Sequence, residues 1–98
     1  MKKIILTFII LLSGTGLFAF SVSGKVIDST TGDGVPGVSV VIEQLKSVTV
    51  TSPDGSFAFE NVPAGFYTIH TTHPLYTNSV TDIRVKRKFV LDIALKKA

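Results

Sequence analysis

The chain has 98 residues, no cysteine and a formal net charge of +3 at pH 7. Lys2 and Lys3 belong to an apolar leader, and without them eight basic residues face seven acidic ones, a net charge of +1. A nearly neutral domain exerts little long-range attraction on phosphates, which excludes nucleic acid as the main partner. The lack of cysteine excludes a disulfide scaffold and a thiol nucleophile.

The first 19 residues have the pattern of a signal peptide. Lys2 and Lys3 precede an apolar run over residues 4–12, and Ala19 offers a small residue at the cleavage position. The run is shorter than the roughly 20 residues that a membrane-spanning helix needs, and no cysteine follows it to carry a lipid anchor. We therefore predict a helical signal peptide over residues 1–19 and an exported domain over residues 20–98, with no membrane span after cleavage. The expected location is the periplasm or the outer membrane, with secretion as the alternative.

Short β-forming segments alternate with turn signals after the leader, and no stretch keeps a helical period. The predicted strands cover residues 21–28, 38–42, 47–52, 66–72, 80–86 and 88–95, and a further strand begins at residue 56. Alternation predicts these core-facing residues: Val38, Val40, Ile42, Val48, Val50, Phe57, Phe59, Leu91, Ile93 and Leu95. Seven strands are the number that a Greek-key sandwich of two sheets needs, so the chain is predicted to be all-β.

Proline and glycine mark three sharp reversals between the predicted strands. The residues concerned are Pro36, Gly37, Asp54, Gly55, Pro63 and Gly65. Proline presets the φ angle of the second turn position, and glycine accepts a positive φ, so both favour tight turns. Lys86, Arg87 and Lys88 are predicted to form the tip of a hairpin between the last two strands.

Four segments that contain these turns resemble the carboxypeptidase regulatory-like family. They are residues 24–28 (Gly-Lys-Val-Ile-Asp), 35–40 (Val-Pro-Gly-Val-Ser-Val), 52–57 (Ser-Pro-Asp-Gly-Ser-Phe) and 62–67 (Val-Pro-Ala-Gly-Phe-Tyr). Residues 73–76 (His-Pro-Leu-Tyr) replace the family's Gly-Tyr pair, and Leu75 departs from its glycine. The resemblance implies a prealbumin-like (transthyretin-like) sandwich of the kind found beside metallocarboxypeptidase catalytic domains and in front of TonB-dependent outer-membrane receptors. Because the zinc ligands of those peptidases belong to the separate catalytic domain, it also implies no peptidase activity.

Histidine and aspartate provide the candidate metal ligands and catalytic groups. His70 and His73 would point to opposite faces of a regular strand, which makes a poor zinc site. Aspartates occur at positions 28, 33 and 54, but without the ligand spacing of an EF-hand, so a role in the turns is favoured over calcium binding. No nucleophile elbow is present, and we expect no catalytic residue, no metal and no cofactor.

Two groups of side chains are candidates for an interaction surface. Phe66, Tyr67 and Tyr76 are predicted to cluster near one end of the domain, where aromatic rings stack on sugars or enter a partner's pocket. Arg84, Lys86, Arg87 and Lys88 form a basic cluster that suits a phosphate or an acidic partner. Both groups have structural alternatives, because aromatic rings fill cores and charges protect exposed edges.

The favoured function is that of a non-catalytic binding module of the bacterial cell envelope, with an outer-membrane transporter or another envelope protein as its partner. One alternative is a small carbohydrate-binding protein that resembles starch-binding domains and has a glycan as its ligand. The least favoured alternative is a transthyretin-like hydrolase of a purine derivative, because the His, Arg and C-terminal Ser motifs of that class are not found.

Overall fold

A computed structural model describes residues 19–98 of the chain. The predicted signal peptide therefore lies outside the described residues, apart from Ala19. The described part contains seven strands and no helix, so no helix in it is suited to crossing a membrane. The strands are β1 (Ala19–Asp28), β2 (Ser39–Ile42), β3 (Ser47–Val50), β4 (Ser56–Pro63), β5 (Gly65–His73), β6 (Tyr76–Val85) and β7 (Phe89–Leu95).

The strands form two sheets that pack as a Greek-key sandwich, which confirms the predicted fold class. One sheet has the order β4-β1-β7 and the other has the order β3-β2-β5-β6. All neighbouring strands are antiparallel except β1 and β7, which run parallel. The first strand, β1, therefore lies in the middle of the three-stranded sheet, and the last strand, β7, lies beside it at the edge.

The core lies between the sheets and is made of alternate residues from nearly every strand. The fully or nearly fully buried apolar residues are Val22, Val26, Val35, Val38, Val40, Ile42, Phe57, Phe59, Val62, Tyr67, Ile69, Ile83, Val85, Ile93 and Leu95. Leu91, which was also predicted to face the core, is partly buried against this cluster. Each fully buried side chain of this size contributes about 1.5–3 kcal/mol of transfer free energy, which offsets the chain entropy lost on folding.

Strand β3 differs from the prediction, because its valines face away from the core. Val48 and Val50 are 62% and 59% exposed. In β2, Val40 and Ile42 are buried and Val41 faces outward between them. Val48 pairs with the outward-facing Val41, while Thr49 pairs with the buried Val40. Alternation shows which residues share a face, but the register with β2 decides which face meets the core, and here it turns the hydroxyl side inward.

The predicted hairpin tip at residues 86–88 is also wrong. Strand β6 belongs to the four-stranded sheet and β7 to the three-stranded sheet, where β7 pairs with β1. The Lys-Arg-Lys segment therefore connects the two sheets. Parallel pairing joins strands that are distant in sequence, so neighbouring strand patterns alone did not reveal it.

The turn residues have the following backbone conformations. Gly37 has a φ of 72° and Gly55 a φ of 86°, both in the left-handed region that favours glycine. Gly65 is extended instead, and near that corner the residue with a left-handed backbone is Asn61, with a φ of 59°. Asn tolerates this conformation better than most residues with a side chain.

Candidate functional site

The side chains of the four-stranded sheet that point away from the core form what we call the outer face. Register places Val48, Val41, His70 and Val80 in one row that crosses all four strands of this face. Val48 and Val80 are each 62% exposed, and Val41 and His70 are half-buried between them. Val50 lies beside Val48 on the same face. We call the four residues from Val48 to Val80 the apolar row; it consists of three valines and His70, and it exposes a valine at each end.

Polar contacts surround this row without covering its valines. His70 Nε2 lies 2.8 Å from Glu43 Oε2, an ion pair when the imidazole is protonated. The Gln44 side chain accepts a hydrogen bond of 2.8 Å from the backbone N–H of Thr68. These contacts link the loop between β2 and β3 to strand β5.

Phe66 and Arg84 lie opposite each other at the far end of the outer face. Phe66 is 73% exposed, and the guanidinium carbon of Arg84 lies 5.3 Å from the centre of its ring. This is a cation–π contact, worth about 0.5–1 kcal/mol at an exposed site. It presents one aromatic edge and one positive charge to solvent.

A second candidate site is a polar pocket of about 220 Å³, at the end of the sandwich where β1 ends and β6 begins. We call it the Asp28 pocket. Its lining residues are Asp28, Thr31, Asp33, Gly34, Val35, Pro36, Tyr76 and Lys97. Carboxylate, phenol and ammonium groups thus share one small concave surface, an arrangement that suits hydrogen bonding to a polar ligand.

Asp28 is 5% exposed and is fully engaged in the wall of this pocket. Its Oδ1 accepts hydrogen bonds from the backbone N–H groups of Thr30 and Thr31 at 2.8 and 3.2 Å, and its Oδ2 accepts one from Tyr76 Oη at 2.8 Å. The Thr30 N–H and then the Tyr76 hydroxyl lower the pKa of Asp28 below its ordinary value. The same hydrogen bond, with burial, raises the pKa of Tyr76. Asp28 therefore ties the loop after β1 to the start of β6.

Asp54 serves the turn between β3 and β4. Its Oδ1 accepts hydrogen bonds from the Ser56 and Ser52 hydroxyls, both at 2.7 Å, and from the Ser56 N–H at 3.0 Å. The Ser56 hydroxyl, followed by the Ser52 hydroxyl, holds the pKa of Asp54 far below its ordinary value. These local donors account for an aspartate at this position.

The structure separates the three aromatic residues that were predicted to cluster. Tyr67 is buried in the core, and its hydroxyl donates a hydrogen bond of 2.6 Å to the Pro63 carbonyl oxygen. This four-residue return resembles the tyrosine corner of other Greek-key sandwiches. Phe66 pairs near the start of β5, whereas Tyr76 pairs with His73 at the opposite end of that strand. The predicted aromatic cluster is therefore not formed, because β5 places its two ends at opposite ends of the sheet.

The basic residues are divided as well. Arg84 lies on the outer face over Phe66, while Lys86, Arg87 and Lys88 are exposed in the segment that joins the two sheets. Within residues 19–98, the only ion pair is the one between His70 and Glu43, so these four cations have no acidic partner there.

The histidines have local partners. His70 contacts Glu43, as described above, and His73 Nδ1 accepts a hydrogen bond of 3.1 Å from the Leu75 N–H. The His73 ring packs edge-on against Tyr76, with ring centres 5.3 Å apart. Over the described residues, no three His, Asp or Glu side chains are grouped as metal ligands.

The family model for the carboxypeptidase regulatory-like domain matches residues 21–96. The chain belongs to this family. Among curated proteins, it is 42% identical over 66 residues to human BOS complex subunit NOMO3 and 41% identical over 66 residues to mouse BOS complex subunit NOMO1. These matches cover 66% of this chain and only 5% of either relative.

Solved structures resemble the regulatory-like domain along most of its length. A chain of a mutant type II cohesin–X-dockerin complex from Acetivibrio cellulolyticus aligns with a TM-score of 0.69 and 26% identity, over 78% of this chain and 56% of that one. The major pilin subunit BcpA of Bacillus cereus aligns with a TM-score of 0.65 and 19% identity, over 82% of this chain and 30% of the pilin chain. A putative carbohydrate-binding protein from Bacteroides uniformis aligns with a TM-score of 0.62 and 15% identity, over 79% of this chain and 41% of that protein's chain. The last two likenesses show the fold alone.

Sequence reasoning missed two parts of the domain's surface. The sequence does not reveal the apolar row of the outer face, because the alternation of β3 predicts that Val48 faces the core, and no local pattern indicates that Val80 is exposed. The Asp28 pocket was missed because it depends on a contact between Asp28 and Tyr76, which are 48 positions apart. The alternation of β5 did indicate that Tyr67 is separate from Phe66, because it places Tyr67 on the same side of the strand as the buried Ile69.

Proposed function

We propose that this domain is a non-catalytic interaction module of a bacterial cell envelope, similar to the accessory domain of TonB-dependent receptors. Its partner is an outer-membrane transporter or another envelope protein, and its binding surface is the outer face. The observation that carries the proposal is the row from Val48 to Val80, which crosses all four strands and has an exposed valine at each end.

Single exposed hydrophobic residues are common, but contiguous ones mark interaction sites. Val48 pairs directly with Val41, and the row continues through His70 to Val80. Complete burial of a valine contributes about 1.5 kcal/mol or more. Since Val48 and Val80 are each 62% exposed, covering both would recover on the order of 2 kcal/mol, a factor of roughly 30 in affinity.

The relatives support a role in protein assemblies. The curated relatives are named as subunits of the BOS complex, and the solved relative with 26% identity is part of a cohesin–X-dockerin complex. The predicted signal peptide supports export. The family is described as regulatory-like, which favours binding over catalysis and leaves the transthyretin-like hydrolase as the least supported alternative.

A cross-linking pull-down tests the proposal. The full chain with a C-terminal tag is expressed in its native bacterium, and envelope proteins cross-linked to it are identified by mass spectrometry. Val80→Lys disrupts the outer face, and Val90→Lys is the matched control, because Val90 is 65% exposed on the other sheet. We expect the wild type and V90K to recover the same envelope protein and V80K to lose it. Recovery that is equal in both variants, or recovery of the chain alone, would contradict the proposal.

The Asp28 pocket favours a second candidate function, the binding of a small glycan. The carboxylate of Asp33 and the ammonium group of Lys97 are groups that hydrogen-bond to sugar hydroxyls, and the Tyr76 ring lies at the wall of the pocket. Asp33→Asn with Lys97→Ala tests this function, since neither change removes the bond between Asp28 and Tyr76. A glycan array should show a ligand for the wild type and weaker binding by the double variant. An array without any ligand would retire this candidate.

A further inference from the structure

Strand β3 is an edge of the four-stranded sheet, and among the described residues no strand lies on its other side. The direction of its backbone groups follows from Thr51, whose N–H donates to the Val38 carbonyl at 3.0 Å while its own carbonyl accepts from Gly37 N–H at 3.1 Å. Because these groups alternate along an antiparallel strand, the N–H and C=O of Val48 and Val50 point away from β2. They form a row of donors and acceptors directed at the open edge.

Apart from its short length of four residues, strand β3 lacks the features that discourage strand pairing. Natural edges carry charges, proline or irregular backbone. The β6 edge has Asp82 and Arg84, and the β4 edge has Pro63 and the left-handed Asn61. All four residues of β3, by contrast, are valine, serine or threonine, and none of them is charged or irregular.

The edge is also complementary to itself. If two copies of β3 pair antiparallel about a two-fold axis at Thr49, Val48 of each copy lies opposite Val50 of the other, on the outer face. Both valines have their backbone groups directed at the edge, so these pairs are of the hydrogen-bonded kind. Lys46, the nearest charged residue, lies in the turn before β3 and Asp54 in the turn after it, so antiparallel pairing brings the Lys46 end of one copy beside the Asp54 end of the other, and like charges do not meet.

We propose that two copies of this chain associate through β3, antiparallel and with the two-fold axis at Thr49. The pairing joins the two four-stranded sheets into one sheet of eight strands. It covers Val48 and Val50, which are the exposed hydrophobic residues of the edge. The inference rests on the proposed role as an interaction module and adds a second copy as one specific partner.

A single engineered cysteine tests both the association and its register. The chain has no cysteine of its own, so Thr49→Cys places the only thiol on the proposed axis. There the two Thr49 residues form a non-hydrogen-bonded pair, in which the Cα atoms lie close enough for a disulfide. We expect mild oxidation to give at least tenfold more covalent dimer with T49C than with Val90→Cys, the exposed control on the other sheet. Equal dimer yields would overturn the pairing. More dimer with Val48→Cys or Val50→Cys than with T49C would overturn the axis.

Sedimentation across a concentration series tests the association without a covalent bond. The double variant Val48→Lys with Val50→Lys should raise the dissociation constant of the dimer at least tenfold. Val80→Lys with Val90→Lys adds the same charge away from the edge and should leave it unchanged. A wild type that stays monomeric at every concentration, or a dimer lost only in the second double variant, would overturn the proposal. Circular dichroism and a thermal melt confirm that each variant is folded.

These outcomes are separable from the failure of the proposed function. A monomeric wild type that still recovers an envelope protein through the outer face would overturn the dimer and leave the interaction module intact. In a monomeric chain, envelope capture that is lost in the Val48→Lys with Val50→Lys variant but kept in Val80→Lys would overturn the dimer and show that the β3 edge binds another protein.

Discussion

Gly55 occupies a position where the backbone allows almost no side chain. A Cβ atom there would lie 2.4 Å from the Val26 carbonyl oxygen and 2.8 Å from both Gly34 Cα and Val35 N. All three are backbone atoms, so relief requires the loop or β1 to move. The Val26 carbonyl also accepts the Val35 N–H at 2.8 Å, and Val26 N–H donates to the Gly55 carbonyl at 2.8 Å. Any such movement therefore strains two further hydrogen bonds.

Gly55→Ala should destabilise the domain for two separable reasons. Its φ of 86° costs a residue with a Cβ roughly 1–2 kcal/mol, and the steric overlap adds about 1–3 kcal/mol. Gly37→Ala isolates the first cost, because Gly37 has a φ of 72° and a Cβ there would meet no atom within 4 Å. In both variants, alanine also lowers the conformational entropy of the unfolded chain, which offsets about 0.4–1 kcal/mol of the loss in stability. We expect a loss of roughly 1–5 kcal/mol for G55A and roughly 0–1.5 kcal/mol for G37A, with the difference of about 1–3 kcal/mol due to steric overlap.

Urea denaturation of the wild type and both variants measures these losses. The slope of the free energy against urea concentration should stay constant, which shows that the midpoint reports stability. In a domain of this size, each 1 kcal/mol lowers the melting temperature by roughly 4–8 °C, so a loss of about 3 kcal/mol in G55A should lower its melting temperature by roughly 12–24 °C. Indistinguishable losses for the two variants would refute the steric argument for Gly55.

Three further predictions concern polar groups. Thr71 Oγ1 is buried without a hydrogen-bond partner among the described residues, whereas Thr51 Oγ1 donates to Val35 O at 2.6 Å and accepts from Val38 N–H at 2.9 Å. Thr71→Val should therefore raise the free energy of unfolding by about 1 kcal/mol and Thr51→Val should lower it by about 1–3 kcal/mol; changes of the same sign would contradict this reasoning. Tyr67→Phe removes the hydrogen bond to the Pro63 carbonyl and should cost about 1 kcal/mol in the same assay, so an unchanged midpoint would show that the corner is held by packing alone. The pKa values of Asp28 and Asp54 are lowered from 3.8 on folding, so their stabilisation is complete above that pH and is lost as the pH falls through the lowered values. Asp54→Asn should thus show a shallower loss of melting temperature in acid, and a slope equal to that of the wild type would assign the acid sensitivity elsewhere.

The sequence predicted the parts of the fold that local chemistry controls. Val40 and Ile42 alternate with smaller or half-buried residues, and Phe57 and Phe59 do the same in β4, so their inward faces could be deduced. Strand β3 failed because valine and threonine both favour strands, and the hydrophobic rule selected the wrong face. The outcome depended on the pairing of Thr49 with the buried Val40, which is a matter of register.

The candidate sites depended on contacts that no local pattern contains. Parallel pairing of β7 with β1 moved residues 86–88 from a hairpin tip to a connection between sheets. Tyr76 is predicted to be an interaction residue, but its role follows from its hydrogen bond to Asp28, which lies 48 positions earlier in the sequence. The outer face emerged only when four strands had been placed in order, because its apolar row takes one residue from each.

The parallel pairing of β1 and β7 has a mechanical consequence. The seven residue pairs run from Val22 with Phe89 to Asp28 with Leu95, so the chain enters at one end of this ladder and leaves at the other. Tension between the two ends would pull the strands past each other lengthwise and load all seven pairs together, whereas pulling at one end of an antiparallel hairpin opens its bonds one after another. Parallel pairing of β1 and β7 should therefore resist tension between the two ends of the described domain more strongly than a hairpin of the same length.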